Sequence, residues 1–565
     1  MTMNEQATGT LEGIGQQDHS VTSEYRIFGP PGTGKTTNLS RQIRRAVERS
    51  GPGNVLVTSF SRTAATELAG RDLPIKADRI GTLHSHCYHA LGEPEIAEAN
   101  VDEWNRKNPH LALTPVKKQG RLDGEEGGED DSHLKKGGDG LLQQLNRCRG
   151  LLVPSDDWPA TVRQFDAKWR EYKNSLGLLD FCDLIDTCLR DVSVAPGLPA
   201  VIFADEAQDL NRMQLTLVRK WGERADYFIL AGDDDQTVFS FAGASPDAIL
   251  DPDIPDGHKI ILQQSYRVPR SVHRFAEGLI RQVTRRQEKT YLPRPEEGEM
   301  LHLSRGTYKS PEYFILKSAM EHLERGKTVM FLASCSYMLW PIVAVLKKSG
   351  IPFHNPYRRS NGFWNPLRLS RRGSSSASRI LALLVAHPDY GENHHPWTYR
   401  DLALWAELLQ SEGIFRQGVK ELLQAQEQKK PVTTEQLREI FQAGAMDSLL
   451  AACEGDCRAL LAWWRARVTA GVHGRIQFPA DVAARYGPRA LLERPKVIVG
   501  TIHSVKGGQA DVVYLFPDLS QAGNAQYQRF GPLRDSVIRL FYVGATRARE
   551  TLYICQQESA LAVRI

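Results

Sequence analysis

Long apolar runs are missing from this chain. No window approaches the ~18 consecutive apolar residues of a membrane-spanning helix, which argues against a membrane partner. Cysteine is scarce, with eight scattered through 565 residues. That excludes a disulfide-stapled scaffold and points to a reduced, cytosolic-type compartment. Cys453 and Cys457, four apart, would share one helix face, but two thiols without further ligands do not make a metal site. Strong charge of either sign is also lacking: the formal net charge is +4. Basic groups for a nucleic-acid partner would have to line a groove rather than coat the surface. Met1 to Ser20 lacks the charged start and apolar core of a secretory signal and reads as a ragged polar tail. Hydrophobic residues make up 41% and charged residues 24%, which excludes a disordered or fibrous chain. The length predicts roughly three or four domains of about 100–200 residues.

Short apolar runs alternate with helical patterns. Tyr25 to Phe28, Asn54 to Ser59, Ala200 to Phe203 and Tyr227 to Leu230 read as buried strands, with helices from about Thr36 and Thr63. This pattern predicts an α/β fold with a parallel sheet and ligand sites at the carboxyl ends of its strands. A second α/β pattern starts near Lys259, includes Val329 to Ser334, and returns at Lys496 to Thr501 and Asp511 to Phe516. The expected architecture is two parallel-sheet cores, each with a mainly helical insertion. Residues 1–89 and 200–258 form the first core and 90–199 its insertion. Residues 259–369 and 493–565 form the second core and 370–492 its insertion. Lys117 to Gly140 is a low-complexity run with two apolar side chains, Leu122 and Leu134, and reads as a mobile loop. His394-His395 reads as an exposed loop, and Trp463-Trp464 as helix packing.

Two segments carry phosphate chemistry. Gly29-Pro30-Pro31-Gly32-Thr33-Gly34-Lys35-Thr36 fits G-x-x-x-x-G-K-[ST] and sits between a strand and a helix, as that motif requires. Its glycines let backbone N–H groups wrap phosphates, Lys35 reaches the β/γ-phosphates, and the Thr36 hydroxyl is placed for Mg²⁺. Val201 to Asp209, VIFADEAQD, puts Asp205 and Glu206 at a strand's carboxyl end. Asp205 is the candidate Mg²⁺ ligand, and Glu206 the group that orients and deprotonates an attacking water.

GDDDQTVFSFAGA, from Gly232 to Ala244, is required by no general rule for nucleotide hydrolases. With DEAQD it closely resembles motifs of the superfamily 1A DNA helicases, the UvrD/PcrA/Rep-like family. Further resemblances follow in the family's order: SFSRTAATEL at Ser59, GTLHS at Gly81, DFCDL at Asp180, QSYR at Gln264, GTIHSVKGGQADVVYL at Gly500 and RLFYVGATRARETLYI at Arg539. They run from Tyr25 to Ile554, nearly the whole chain. The resemblance implies two RecA-like cores and roles by position. Gln236 would sense the γ-phosphate and couple hydrolysis to movement. Arg267 and Arg547 would act as arginine fingers, a task suited to a planar, permanently charged fork. Tyr266 would stack on adenine, with Thr37 and Gln509 beside the nucleotide. Phe60, Phe239 and Phe241 would be base platforms, and Arg62, His84 and His503 backbone contacts.

The chain departs from the family at several of these positions. Thr37 stands where close relatives carry arginine, Gln509 where a glutamate is usual, and Phe241-Ala242 where Trp and Arg are common. Gln16 or Gln17 lies near the place of the adenine-reading motif, without its flanking pattern. The implied function is an ATP- and Mg²⁺-dependent helicase and single-stranded DNA translocase with 3′→5′ travel. It would act at single-strand/duplex junctions in DNA repair or replication, as a monomer or weak dimer. The expected location is cytoplasmic, or nucleoid-associated if the source is bacterial or phage. Two other readings use the same residues: a clamp that binds DNA without unwinding, and a remodeller that strips proteins from DNA. Lys35→Ala and Arg547→Ala are each expected to abolish stimulated hydrolysis with the fold intact.

Overall fold

The computed structural model describes residues 24–60, 62–116, 136–312, 314–358, 362–370, 372–419, 423 and 427–565, with backbone alone at 62, 63 and 67. Gln16, Gln17 and most of the low-complexity run, residues 117–135, lie outside the described residues. Strands among the described residues fall into two parallel sheets of six, surrounded by helices. The chain forms two compact units. One comprises the chain as far as His302 with Ile502–Gln509 and Pro517–Ile565, and the other comprises Leu303–Thr501 and Ala510–Phe516.

In the first unit, six strands form one sheet: β1 (Glu24–Phe28), β2 (Val55–Ser59), β3 (Ile80–Thr82), β4 (Val201–Asp205), β5 (Tyr227–Gly232) and β6 (Lys259–Ile261). Their order is β3-β2-β4-β5-β1-β6, all parallel. β1, β2 and β4 are buried along their whole length, which is why they read as apolar runs rather than alternating patterns. Successive side chains still face opposite ways. Ile27, Val55, Val57, Phe203 and Ile229 pack with Leu39, Ile43 and Val47 of helix Lys35–Ser50. Leu56, Ile202, Phe228 and Leu230 pack on the other side with Leu184 and Ile185 of helix Phe181–Asp191 and Leu217 and Trp221 of helix Arg212–Gly222. Parallel pairing brings every carboxyl end to one edge, where the candidate site lies.

The strand at Lys259–Ile261, where the sequence starts its second α/β pattern, hydrogen-bonds to β1 and so belongs to the first sheet. Between β3 and β4 the helical insertion has a core of its own, with Trp104, Phe165, Trp169 and Tyr172 in mutual ring contact. The Asp180-Phe-Cys-Asp-Leu184 signature is a helix start. Asp180 and Asp183 form a reciprocal capping box, and Arg149 and Lys173 neutralise both carboxylates.

β7 (Glu299–His302) also lies in the first unit. The second unit contains β8 (Val329–Ala333), β9 (Phe353–His354), β10 (Val497–Thr501) and β11 (Ala510–Leu515). β10 and β11 flank β8, and β9 pairs with β10, all parallel. β12 (Ala548–Ile554) returns to the first unit and pairs with β7. Helices dominate between residues 376 and 486. Trp463 and Trp464 are buried there as packing residues, and His394 and His395 are exposed. Cys453 and Cys457 do not share a helix face: one ends helix Ala443–Glu454, the other begins helix Cys457–Arg465. The acidic cap at Asp456 breaks the periodicity that the four-residue spacing invokes. Among the described residues, no helix is long and apolar enough to cross a membrane.

Candidate active site and nucleic-acid interface

The phosphate loop leaves β1 at Gly29, whose N–H donates to the Gly232 carbonyl at the end of β5 (2.8 Å). Thr33 Oγ1 closes the turn on the Pro30 carbonyl (2.8 Å). Gly32 and Gly34 both have positive φ, 75° and 76°. A Cβ on Gly32 would fall 2.4 Å from Arg267 Cβ and 2.8 Å from Ser265 Oγ, so only glycine fits. Helix Lys35–Ser50 has no side-chain cap and no acidic residue in its first turn. Its first N–H groups and positive dipole end are therefore available to an anion.

Lys35 Nζ meets Glu206 Oε1 at 2.5 Å and Asp205 Oδ1 at 3.3 Å. Burial works against the ammonium charge, but the two carboxylates outweigh it and hold Lys35 above its ordinary range. Burial also opposes the charge on Glu206, yet Lys35 and Lys506 bring its carboxyl down to about 2. Asp205, 2% exposed, moves the other way: burial and the neighbouring Glu206 charge raise it despite Lys35. Glu206 sits at φ 53°, ψ 37°, a left-handed conformation costing about 1–3 kcal/mol for a non-glycine residue. That backbone turns its carboxylate toward Lys35, and Gln208 Nε2 holds the other oxygen at 2.6 Å.

The later motifs meet this loop within the same unit. Tyr266 N–H donates to the Gly32 carbonyl (2.8 Å), and Ser265 Oγ donates to the Pro31 carbonyl (2.7 Å). The Tyr266 ring is 66% exposed beside Gly34, open to stack on a planar base. Arg267 Nε donates to Gln509 Oε1 at 3.0 Å. Gln236 donates its Nε2 to Asp233 Oδ2 (2.8 Å) and accepts at Oε1 from Arg547 (3.0 Å). Arg547 is 1% exposed and also donates to the carbonyls of Val543 (2.8 Å) and Gly508 (3.2 Å). Pro30, Pro31, Thr33 and Thr36 lie in or beside the loop. Thr37 is exposed, and its hydroxyl accepts from Arg71 (3.0 Å), so a guanidinium does stand at this helix start, supplied by another segment.

Beside this site is a half-buried aromatic group. Phe239 lies 5.4 Å from Phe60 and 5.9 Å from Phe241, ring centre to ring centre, and the His503 ring is 5.5 Å from Phe241. Phe60 also rests against the sheet core, so part of its ring surface is taken up by packing. His84 stands apart, edge-on to Phe181 at 6.2 Å. Burial lowers both His84 and His503 to about 4, so at neutral pH they offer hydrogen bonds and not charge. The Arg62 side chain lies outside the described residues.

Several residues escaped the sequence reading. Lys506 ion-pairs with Asp209, donates to the Gln236 carbonyl (2.9 Å) and lies 5.3 Å over the Phe239 ring. It thus touches both the acidic strand end with its neighbouring glutamine and the aromatic group. Gln208 joins Glu206 to the Asp233 N–H (3.0 Å). Lys506 lies inside GTIHSVKGGQ and Gln208 inside DEAQD, so motif membership was the available signal.

Comparison with known families agrees with this geometry. Residues 15–253 match the UvrD/REP helicase N-terminal domain, and residues 496–555 the UvrD-like helicase C-terminal domain. The chain is 26% identical over 294 residues to a putative ATP-dependent DNA helicase, YjcD, of Bacillus subtilis, covering 47% of this chain and 37% of that protein. It is 22% identical over 327 residues to the ATP-dependent DNA helicase PcrA of Staphylococcus aureus, covering 54% and 45%. It is 25% identical over 327 residues to the ATP-dependent DNA helicase UvrD1 of Mycobacterium bovis, covering 52% and 42%. The matched region spans less than half the length of each of these relatives. A phosphate loop, an acidic strand end, a glutamine–arginine pair and two family matches coincide on the same residues, and the chain belongs to the UvrD/PcrA/Rep-like helicases of superfamily 1A.

Proposed function

We propose that this protein is an ATP-driven motor that travels 3′→5′ along single-stranded DNA and separates duplexes at single-strand/duplex junctions. The observation that carries the reading is the contact between Arg547 and Gln236, on the unit that also holds the Lys35–Glu206 pair. Residues from both ends of the chain thereby share one set of hydrogen bonds with the phosphate loop's neighbours. The helicase names of the relatives support the same reading.

Lys35 and the first-turn N–H groups bind the phosphates. Tyr266 stacks on the base, with Thr37 and Gln509 at the rim. Glu206, ionised at neutral pH, orients the attacking water and accepts its proton. Arg267 and Arg547 stabilise charge on the transferring group. Gln236 reports the state of that group to Lys506 and the adjoining aromatic rings. Phe60, Phe239 and Phe241 carry bases, while His84, His503 and Arg62 meet the strand's backbone. The Thr36 hydroxyl and the buried Asp205 carboxylate are hard oxygen donors that fit Mg²⁺. When bound, that ion would neutralise phosphate charge.

The four-part division given by the sequence, two cores at 1–89 with 200–258 and 259–369 with 493–565 and insertions at 90–199 and 370–492, belongs to the same proposal, except that the strand Lys259–Ile261 goes with the first core, whose sheet it joins. The test is ATP hydrolysis with and without single-stranded DNA. Stimulation that Lys35→Ala removes supports the motor, and hydrolysis indifferent to DNA contradicts it.

A further inference from the structure

Lys289 belongs to none of the nucleotide or DNA motifs, yet its side chain is 1% exposed. Burying an ammonium costs several kcal/mol unless it is fully paired. Here it is paired three times: with Asp233 Oδ1 at 3.1 Å, with Asp235 Oδ2 at 2.9 Å, and with Asp234. Arg286 adds a two-pronged contact to Asp235, at 2.9 and 2.6 Å, and the Gln287 N–H donates to Asp234 (2.9 Å). The segment from Arg286 to Lys289 thus grips every carboxylate of the acidic turn that precedes Gln236. Lys289 also lies 5.8 Å over the ring of Phe28, the last residue of β1 before the phosphate loop. Nearby, Tyr291 meets Tyr542 of helix Pro532–Ala545, hydroxyl to hydroxyl at 3.3 Å.

Asp233 transmits this grip. Its Oδ1 faces Lys289 and accepts from the Asp235 N–H (3.2 Å), and its Oδ2 accepts from Gln236 Nε2 (2.8 Å). With its nitrogen held there, the Gln236 amide must turn its oxygen to Arg547. We propose that Lys289 is a positioning residue: by fixing Asp233 it sets which end of the Gln236 amide faces Arg547, and so governs turnover rather than nucleotide capture. This rests on the reading of Gln236 as the coupling residue.

The test is a double-mutant cycle on the full chain, reading kcat and KM of single-strand-stimulated ATP hydrolysis for Lys289→Met, Gln236→Ala and the pair. Lys289→Met is expected to lower kcat on the order of 10–100-fold, the cost of misplacing a reacting group's partner, with KM within about threefold. In the Gln236→Ala background it is expected to add nothing. Losses that multiply in the double variant, or a raised KM with kcat preserved, would overturn the assignment. If Lys289→Met does not fold, Lys289→Met with Asp234→Asn removes one buried charge of each sign and replaces it in the same cycle. Absence of single-strand stimulation in the unmodified chain would count against the proposed function alone, and the cycle on unstimulated hydrolysis would then decide Lys289.

Discussion

Replacing Arg547 by alanine separates catalysis from stability. The side chain is 1% exposed and donates to the carbonyls of Val543 and Gly508, the amide of Gln236 and, more weakly, the Thr546 hydroxyl (3.4 Å). Arg547→Ala leaves the buried Gly508 carbonyl without that donor, at about 1–3 kcal/mol, while the Val543 carbonyl keeps the Thr546 hydroxyl (3.1 Å). Set against a typical total of about 5–15 kcal/mol, the variant folds but is measurably weakened. The sequence alone predicts an intact fold, and the burial of Arg547 revises that half of the expectation. The catalytic loss is larger. An arginine on a transferring phosphoryl group is worth about 10³–10⁵ in turnover, or roughly 4–7 kcal/mol. The assay is stimulated ATP hydrolysis well below the variant's unfolding midpoint, normalised to the folded fraction from a denaturant curve. A fall of about a thousandfold or more per folded molecule is expected. Turnover per folded molecule within about tenfold of the unmodified protein would refute the catalytic role and leave Arg547 a structural residue.

Gly32→Ala should abolish nucleotide binding, because its φ is 75° and its Cβ would sit 2.4 Å from Arg267 Cβ; retained binding of a fluorescent ATP analogue would contradict this. Phe239→Ala should weaken single-strand binding by about 1–3 kcal/mol, measured by fluorescence anisotropy, since one base loses its platform. Burial raises Asp209 to about 6, with Lys506 opposing and Glu206 assisting. A carboxyl raised in the fold contributes stability below its ordinary pKa, and that contribution is lost as pH rises through about 6. Ionisation also completes the Lys506 pair, so stimulated turnover should show an inflection near pH 6 that Asp209→Asn removes. An inflection that survives the substitution would assign it to another group. Lys35→Ala should abolish hydrolysis, and without their shared cation Glu206 and Asp205 should take up protons more readily, visible as an upward shift in the carboxyl titration.

The parts of the fold legible in sequence were those whose physics is local. Val201 to Asp205 is apolar because both of its faces are covered, and Gly32 and Gly34 appear where φ must be positive. β3 and β6 are three residues each, too short to leave a periodic signal, and only their pairing to β2 and β1 reveals them. The site was read mainly through ordered motifs, and its phosphate-loop, acidic and arginine residues do converge. Lys289 was illegible because its significance is spatial: nothing near Lys289 in sequence announces the three aspartates more than fifty residues earlier. Arg71 beside Thr37 is a second case, in which a side chain from elsewhere occupies a place that the sequence shows as lost.

Unwinding of duplexes carrying a single-stranded tail on either the 3′ or the 5′ side, with ATP and with Lys35→Ala as control, tests the motor directly. The account predicts ATP-dependent strand separation from the 3′ tail, none from the 5′ tail, and none with the variant. Separation from the 5′ tail alone, or separation that persists in Lys35→Ala, would contradict it.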